Sequence, residues 1–206
     1  IAMQYDSQGR VIQLDGPRTD ASDVTTLAYD NCTGGGGCGQ LKTLTNALGQ
    51  VTSYNSYDPH GRVSETTDPN GLRTNYAYDL RGRILSVTQT PSGGSPRITQ
   101  YQYDPRGNVS QTTSPDGLTL SYAYDVANDL AQITDTLGNQ LEYGYDLKGN
   151  RTQTSTKDPG GVLVRSLQTA YDLRNRITQI NNAGSISQQV FDALGNLTAT
   201  QDANGN

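Results

Sequence analysis

The sequence predicts an all-β chain built of tandem antiparallel β-hairpins that form a curved spiral sheet. Three observations carry this reading. Tyr-Asp recurs along the whole chain, a glycine-ended turn tetrapeptide appears twice per period, and short alternating segments lie between the turns.

The recurrence comes first because it sets the unit. Tyr-Asp begins at Tyr5, Tyr29, Tyr57, Tyr78, Tyr103, Tyr124, Tyr145 and Tyr171, with Phe191-Asp192 as a ninth copy. Successive spacings are 24, 28, 21, 25, 21, 21, 26 and 20, so 21 is the base period and the longer gaps are insertions. The 206 residues therefore read as one strip, residues 1–206, of about eight to nine repeats.

The turns come next. One set follows the Tyr directly: Asp58-Pro59-His60-Gly61, Asp79-Leu80-Arg81-Gly82, Asp104-Pro105-Arg106-Gly107, Asp146-Leu147-Lys148-Gly149 and Asp192-Ala193-Leu194-Gly195. A second set lies between them: Asn46–Gly49, Asp68–Gly71, Ser114–Gly117, Asp135–Gly138 and Asp202–Gly205. Each suits a type I turn closed by a left-handed residue, because Asp accepts a backbone N–H, Pro presets φ and Gly takes positive φ without a Cβ clash. Asn128 and Asn175 replace that Gly after Asp125 and Asp172, and Asn tolerates the left-handed region best after Gly, so positive φ is expected at both.

Between reversals lie strand-length segments such as 72–78, 83–88 and 118–124. Alternation puts Leu72, Thr74, Tyr76 and Tyr78 on one face, with Leu118, Leu120, Tyr122 and Tyr124, while Arg73, Asn75, Ala77, Thr119, Ser121 and Ala123 fall on the other. One face is a Tyr and Leu ladder; the other is small and polar. Stretches 16–26, 32–39, 90–96 and 157–163 break the pattern and read as loop insertions.

Composition agrees with a thin sheet. Hydrophobic residues are 33% and charged residues 17%, with 23 Gly, 13 Tyr, one Phe and no Trp, which is poor in aliphatic core formers yet too uncharged for ordinary disorder. The net charge of -5 opposes a nucleic-acid footprint, and no apolar run approaches a membrane span.

The segments YDPHGRV (57–63), YDLRGRI (78–84), YDPRGNV (103–109) and YDLKGNR (145–151) resemble the YD repeats of the Rhs family, which includes bacterial Tc toxin shell subunits and teneurins. The resemblance covers essentially the whole chain. It implies a strip of hairpins spiralling into a hollow shell of a secreted or cell-surface bacterial protein, often around a polypeptide cargo such as a toxin. The structural repeat residues are Tyr57, Asp58, Gly61, Tyr78, Asp79, Gly82, Tyr103, Asp104, Gly107, Tyr124, Asp125, Tyr145, Asp146, Gly149, Tyr171 and Asp172. No equivalent of the family's self-cleaving C-terminal segment stands within these residues, so the resemblance implies neither autoproteolysis nor toxicity for them. At about 9.6 Å per hairpin, eight hairpins span roughly 77 Å, about half of a shell circumference on the order of 150 Å.

Candidate chemistry is sparse. Most of the 20 Asp and Glu begin turns, where hydrogen-bonding the turn backbone accounts for them, so no catalytic pair is expected. His60 is the single histidine and sits within a turn, where exposure is expected and no triad can be built on it. Cys32 and Cys38 flank a glycine run and fall short of a four-ligand zinc site; a local disulfide is the favoured reading, with free thiols next. No cofactor or metal is expected. Twelve of the 15 basic residues are Arg, and Arg10, Arg62 and Arg83 follow a turn Gly, from where each could reach the Asp of its own turn, stack on a neighbouring Tyr or stay solvated.

Two functional classes remain. The first is a non-enzymatic wall segment whose partners are flanking repeats and an enclosed cargo. The alternative is a carbohydrate- or protein-binding adhesion module using the Tyr ladder. Burial of Tyr76, Tyr122 and Tyr143 discriminates them, because packing against neighbouring hairpins favours the wall and a solvent-facing patch favours binding. Residues 11–14 carry no Lys, and 197–201 carry neither Lys nor Pro, so edge-to-edge self-association is a further expectation.

Overall fold

The computed structural model describes residues 1–18, 23–30 and 38–204. Within them the chain is all-antiparallel β-structure without a helix. It divides into two compact units, Ile1–Gln100 and Tyr101–Asn206. The first contains β1 (Ala2–Tyr5), β2 (Val11–Asp15), β3 (Thr25–Tyr29), β4 (Leu41–Thr45), β5 (Val51–Tyr57), β6 (Val63–Thr67), β7 (Arg73–Tyr78), β8 (Ile84–Thr90) and most of β9 (Arg97–Tyr103). The second contains β10 (Val109–Thr113), β11 (Thr119–Tyr124), β12 (Leu130–Asp135), β13 (Gln140–Tyr145), β14 (Arg151–Lys157), β15 (Leu163–Tyr171), β16 (Ile177–Asn182), β17 (Ser185–Phe191) and β18 (Leu197–Gln201). In each unit every strand pairs with the next in sequence, the simplest order short turns permit.

The turns form as their chemistry requires. In the turn between β7 and β8, Gly82 donates its N–H to the Asp79 carbonyl at 3.0 Å and Asp79 donates to the Arg83 carbonyl at 2.9 Å. Gly82 has φ +86°, while Asn128 and Asn175 reach φ 74° and 63°, which places both Asn in the expected left-handed region. The stretch 157–163, expected as an irregular insertion, is a regular turn: Gly161 N–H donates to Asp158 and Asp158 N–H to Val162, both at about the same length as in the other turns.

The two turn classes differ in their ladders. After every Tyr-Asp turn with a described register the returning strand carries one extra residue: Tyr78 faces Ile84 but Ala77 faces Ser86, leaving Leu85 unpaired. The same shift follows Tyr5, Tyr29, Tyr57, Tyr124, Tyr145, Tyr171 and Phe191. Intervening turns such as that between β6 and β7 have none, since Thr67 faces Arg73 and Thr66 faces Thr74 in step; the turn between β14 and β15 is an exception, with Thr156 facing Arg165 and Lys157 facing Leu163. The Tyr-Asp turns are thus regularly followed by a bulge, a feature that bends a strand and raises its local twist.

No hydrophobic side chain among the described residues is fully buried; the buried residues are Thr74 and Ser155. The expected faces hold in part: in β7 Thr74, Tyr76 and Tyr78 are covered while Arg73 and Ala77 are exposed, but Asn75 is half-buried, and Leu118 and Leu120, expected on the face of Tyr122 and Tyr124, are exposed. A single layer of this kind is held by its backbone ladder and by contacts running along the sheet, so the joints between hairpins carry unusual weight.

One turn runs against local preference. β16 and β17 join through Ala183-Gly184, and Asn182 faces Ser185 across this two-residue loop. Ala183 adopts φ 52°, a conformation its Cβ disfavours. Ala183→Gly is expected to stabilise the second unit by about 1 kcal/mol, read as a higher urea midpoint at unchanged slope.

Candidate functional site

The candidate site is the joint between successive Tyr-Asp hairpins, repeated along each unit. Its hub is the Asp. The Asp58 Oδ1 accepts the N–H groups of His60 at 2.9 Å and Arg62 at 3.0 Å, and Oδ2 accepts Arg62 Nε at 2.6 Å. Asp79 holds Arg81, Arg83 and the Arg83 guanidinium in the same way, as Asp172 holds Arg174 and Arg176. Where Asn follows the turn Gly, its amide replaces the guanidinium: Asn150 Nδ2 donates to Asp146 Oδ2 at 2.9 Å, and Asn108 Nδ2 to Asp104 Oδ2 at 3.0 Å. Asp125 is met by the Asp129 N–H alone at its side chain.

The Tyr reaches backward. Tyr78 Oη donates to the Val63 carbonyl at 2.8 Å, Tyr124 to Val109 at 3.0 Å, Tyr145 to Leu130 at 2.9 Å and Tyr171 to Arg151 at 3.1 Å. Tyr29 reaches Val11 and Tyr57 reaches Leu41 likewise. In every case the acceptor stands two residues beyond the left-handed turn residue of the preceding repeat. Burial pushes the phenol pKa of Tyr57, Tyr78, Tyr124 and Tyr145 up, so each stays a neutral O–H donor.

The Arg reaches forward. Arg62 lies over the Tyr78 ring at 4.5 Å, Arg10 over Tyr29 at 4.4 Å and Arg176 over Phe191 at 4.2 Å. Arg10 and Arg62 also donate from Nη1 to Gly39 and Asp79 carbonyls of the following turn. Of the outcomes open to Arg10 and Arg62, both the ion pair and the ring contact occur together. Isolated exposed ion pairs contribute little, but here one guanidinium bonds its own turn, caps the next and covers the next ring.

The discriminating tyrosines are half-buried. Tyr76 stacks beside Tyr78 with centroids 6.5 Å apart, Tyr122 Oη lies 3.3 Å from Thr112 Oγ1 and Arg151 covers Tyr143 at 5.3 Å. Their surfaces are engaged within the sheet.

Turn carboxylates are held ionised. The Arg176 N–H foremost, with its guanidinium, lowers the Asp172 pKa from 3.8 to about 2. The Asn150 amide lowers Asp146, and the Arg83 N–H lowers Asp79. A carboxylate depressed on folding contributes stability that is complete above its unfolded pKa and is lost as pH falls through the folded one. The urea midpoint is thus expected to stay flat above pH about 5 and to fall between pH about 4 and 2, with a shallower fall in Asp172→Asn.

His60 is exposed in its turn. No group of three His, Cys, Asp or Glu among the described residues is placed to hold a metal ion. The expected Cys32–Cys38 bridge lies outside the described residues, because Cys32 does. The reach of Tyr to a carbonyl was not expected from sequence, since its acceptor is backbone and leaves no residue signature.

The sequence matches the family model described as Teneurin YD-shell over residues 1–206. No curated protein sequence matches it. Among solved structures, TcdB2-TccC3-Cdc42 superposes with a TM-score of 0.77 at 18% identity over 96% of this chain. TcdB2-TccC3 gives 0.76 at 18% identity, and the Photorhabdus luminescens Tc holotoxin pore 0.72 at 18%, each again over 96%. This chain spans 12% of the first two matched chains and 11% of the third. These likenesses establish a shared fold.

Proposed function

Because the chain belongs to the teneurin YD-shell family, we propose that it is a non-enzymatic wall segment of a secreted or cell-surface shell that encloses a polypeptide cargo. The observation that carries this reading is the use of the repeat's own side chains. Tyr78 ties β7 back to the hairpin before it while Arg62 ties that hairpin forward, so the signature residues are spent on continuity of the sheet and present no common ligand-facing surface. A wall needs this arrangement, because a strip without a fully buried apolar side chain depends on each hairpin holding its neighbour. Likeness to Tc structures supports the reading at the level of fold. The carbohydrate- or protein-binding alternative is disfavoured by the engagement of Tyr76, Tyr122 and Tyr143 within the sheet.

The test is limited proteolysis of the full-length protein that contains this segment. Its cargo should resist cleavage while enclosed and become sensitive when Arg62 and Tyr78 are replaced by Ala. Equal cleavage before and after loosening this segment would remove the reading. Edge-to-edge self-association of the isolated segment is a separate proposal, checked by sedimentation across concentrations; a monomer at every concentration counts against it.

A further inference from the structure

Apart from the joint at Asp129, the joints described within each unit are of two kinds, and these two do not mix. Where the residue after the turn Gly is a long donor, the facing turn of the next repeat has glycine. A Cβ built on Gly82 would stand 2.9 Å from Arg62 Nη1, one on Gly195 3.2 Å from Arg176 Nη1, and one on Gly61 3.0 Å from Gln40 Nε2. The guanidinium or amide occupies the space a side chain would need. Gly39 faces Arg10 in the same manner at 3.5 Å.

Where the residue after the turn Gly is Asn, the next repeat has Asn in the glycine position. Asn108 Nδ2 donates to Asn128 Oδ1 at 2.6 Å, and Asn128 Nδ2 returns a bond to Asn108 Oδ1 at 3.2 Å. Asn150 Nδ2 donates to Asn175 Oδ1 at 3.0 Å. Both Asn of the glycine position sit at positive φ and their side chains fill the gap that the shorter neighbour leaves. The forward cap moves as well. Arg106, one residue before Gly107, donates to the Asp125 carbonyl at 3.3 Å, and Lys148, one residue before Gly149, to the Leu173 carbonyl at 2.8 Å. Asp129 precedes Gly149 in an open joint with no atom within 4 Å of the built Cβ.

We propose that these two positions form a pairing code that decides which Tyr-Asp hairpin can stand beside which: Arg or Gln accepts a hairpin with Gly, and Asn accepts a hairpin with Asn. The exclusion is physical on both sides. Asn against Arg forces the guanidinium to shift from the next turn that it caps, and Gly against Asn leaves the amide with its own turn's Asp but without the cross-hairpin bond. In a strip whose hairpins share one backbone pattern, hairpin misplacement costs little in main-chain hydrogen bonds, so a side-chain rule is what distinguishes the correct neighbour. The hairpin β17–β18 presents Asn196 in this position, with its Nδ2 bonded to Asp192 Oδ2. The partner its edge fits is therefore a Tyr-Asp hairpin with Asn in place of the turn Gly.

The experiment is a pair of double-mutant cycles on the purified chain, read by urea unfolding. Gly82→Asn should reduce the folding equilibrium constant at least about tenfold in the native background, yet be neutral or favourable in the R62N background, where an amide pair can form. Asn108→Arg should be tolerated with Asn128→Gly and penalised without it. Coupling of about fivefold or more in both cycles is the expected result. Additive effects within about twofold in either cycle overturn the code. Should Gly82→Asn alone not fold, folding of the R62N/G82N chain is the expected rescue, and its failure to fold overturns the code equally.

Discussion

Replacing Gly82 with valine is expected to destabilise the first unit by about 3 kcal/mol, well beyond the same change at Gly49. Two costs combine at Gly82. Its φ of +86° is a region that L side chains avoid, and β-branching narrows the choice further. A Cβ there also meets Arg62 Nη1 at 2.9 Å and drives it from the Asp79 carbonyl. Gly49 has φ +76° with nothing within 4 Å, so Gly49→Val carries only the backbone strain, about 1–2 kcal/mol. Urea unfolding of the two variants side by side checks this, and equal losses would show that the Arg62 contact has no energetic weight. Hydrogen exchange adds a spatial test. In a strip of nearest-neighbour contacts, lost protection should centre on the hairpin β7–β8 and its neighbour β5–β6.

Much of the fold was legible because its signals are local. Asp58-Pro59-His60-Gly61 specifies a turn by the chemistry of four adjacent residues, and β7, with Thr74, Tyr76 and Tyr78 on one face, follows from alternation. Even Asn128 and Asn175 could be assigned positive φ, since their place in the tetrapeptide demanded it. What escaped is what side-chain identity does not encode. The extra residue after each Tyr-Asp turn is Leu85 in one repeat, Thr152 in another and Ser64 in a third, so no composition marks it. The turn at Ala183-Gly184 was missed because Ala is the wrong residue for its own φ. Asp158-Pro159-Gly160-Gly161 lies in a stretch that breaks the sequence pattern and reads as an insertion, although it forms the ordinary turn. At the joints, the ion pair of Arg62 with Asp58 was within reach of sequence, being four residues away. The Asn108 and Asn128 pair, 20 residues apart, became visible only once the hairpins were placed side by side.

Removing one hydroxyl tests the joint at its least visible part. Tyr145→Phe deletes the donor to the Leu130 carbonyl, a 2.9 Å bond, while keeping the ring in place. The expected loss is about 1 kcal/mol, the net worth of one partly shielded hydrogen bond, whereas Tyr145→Ala removes the ring contact too and should cost about 3 kcal/mol. The ninth repeat supplies the reverse experiment. Phe191 occupies the Tyr position at the end of β17, under the Arg176 guanidinium, and has no hydroxyl. In the other joints the acceptor stands two residues past the left-handed turn residue of the preceding repeat, as Leu130 does past Asn128. The matching acceptor for residue 191 is the Ile177 carbonyl, two residues past Asn175. Phe191→Tyr is therefore expected to gain about 0.5–1 kcal/mol, and the backbone N–H groups of the β16–β17 ladder should exchange more slowly as the two strands are tied more firmly. A loss at Tyr145→Phe together with a gain at Phe191→Tyr identifies the hydroxyl as a transferable part of the joint. If Phe191→Tyr is neutral while Tyr145→Phe is costly, the bond depends on the individual repeat and the tyrosine is not a general tie between hairpins.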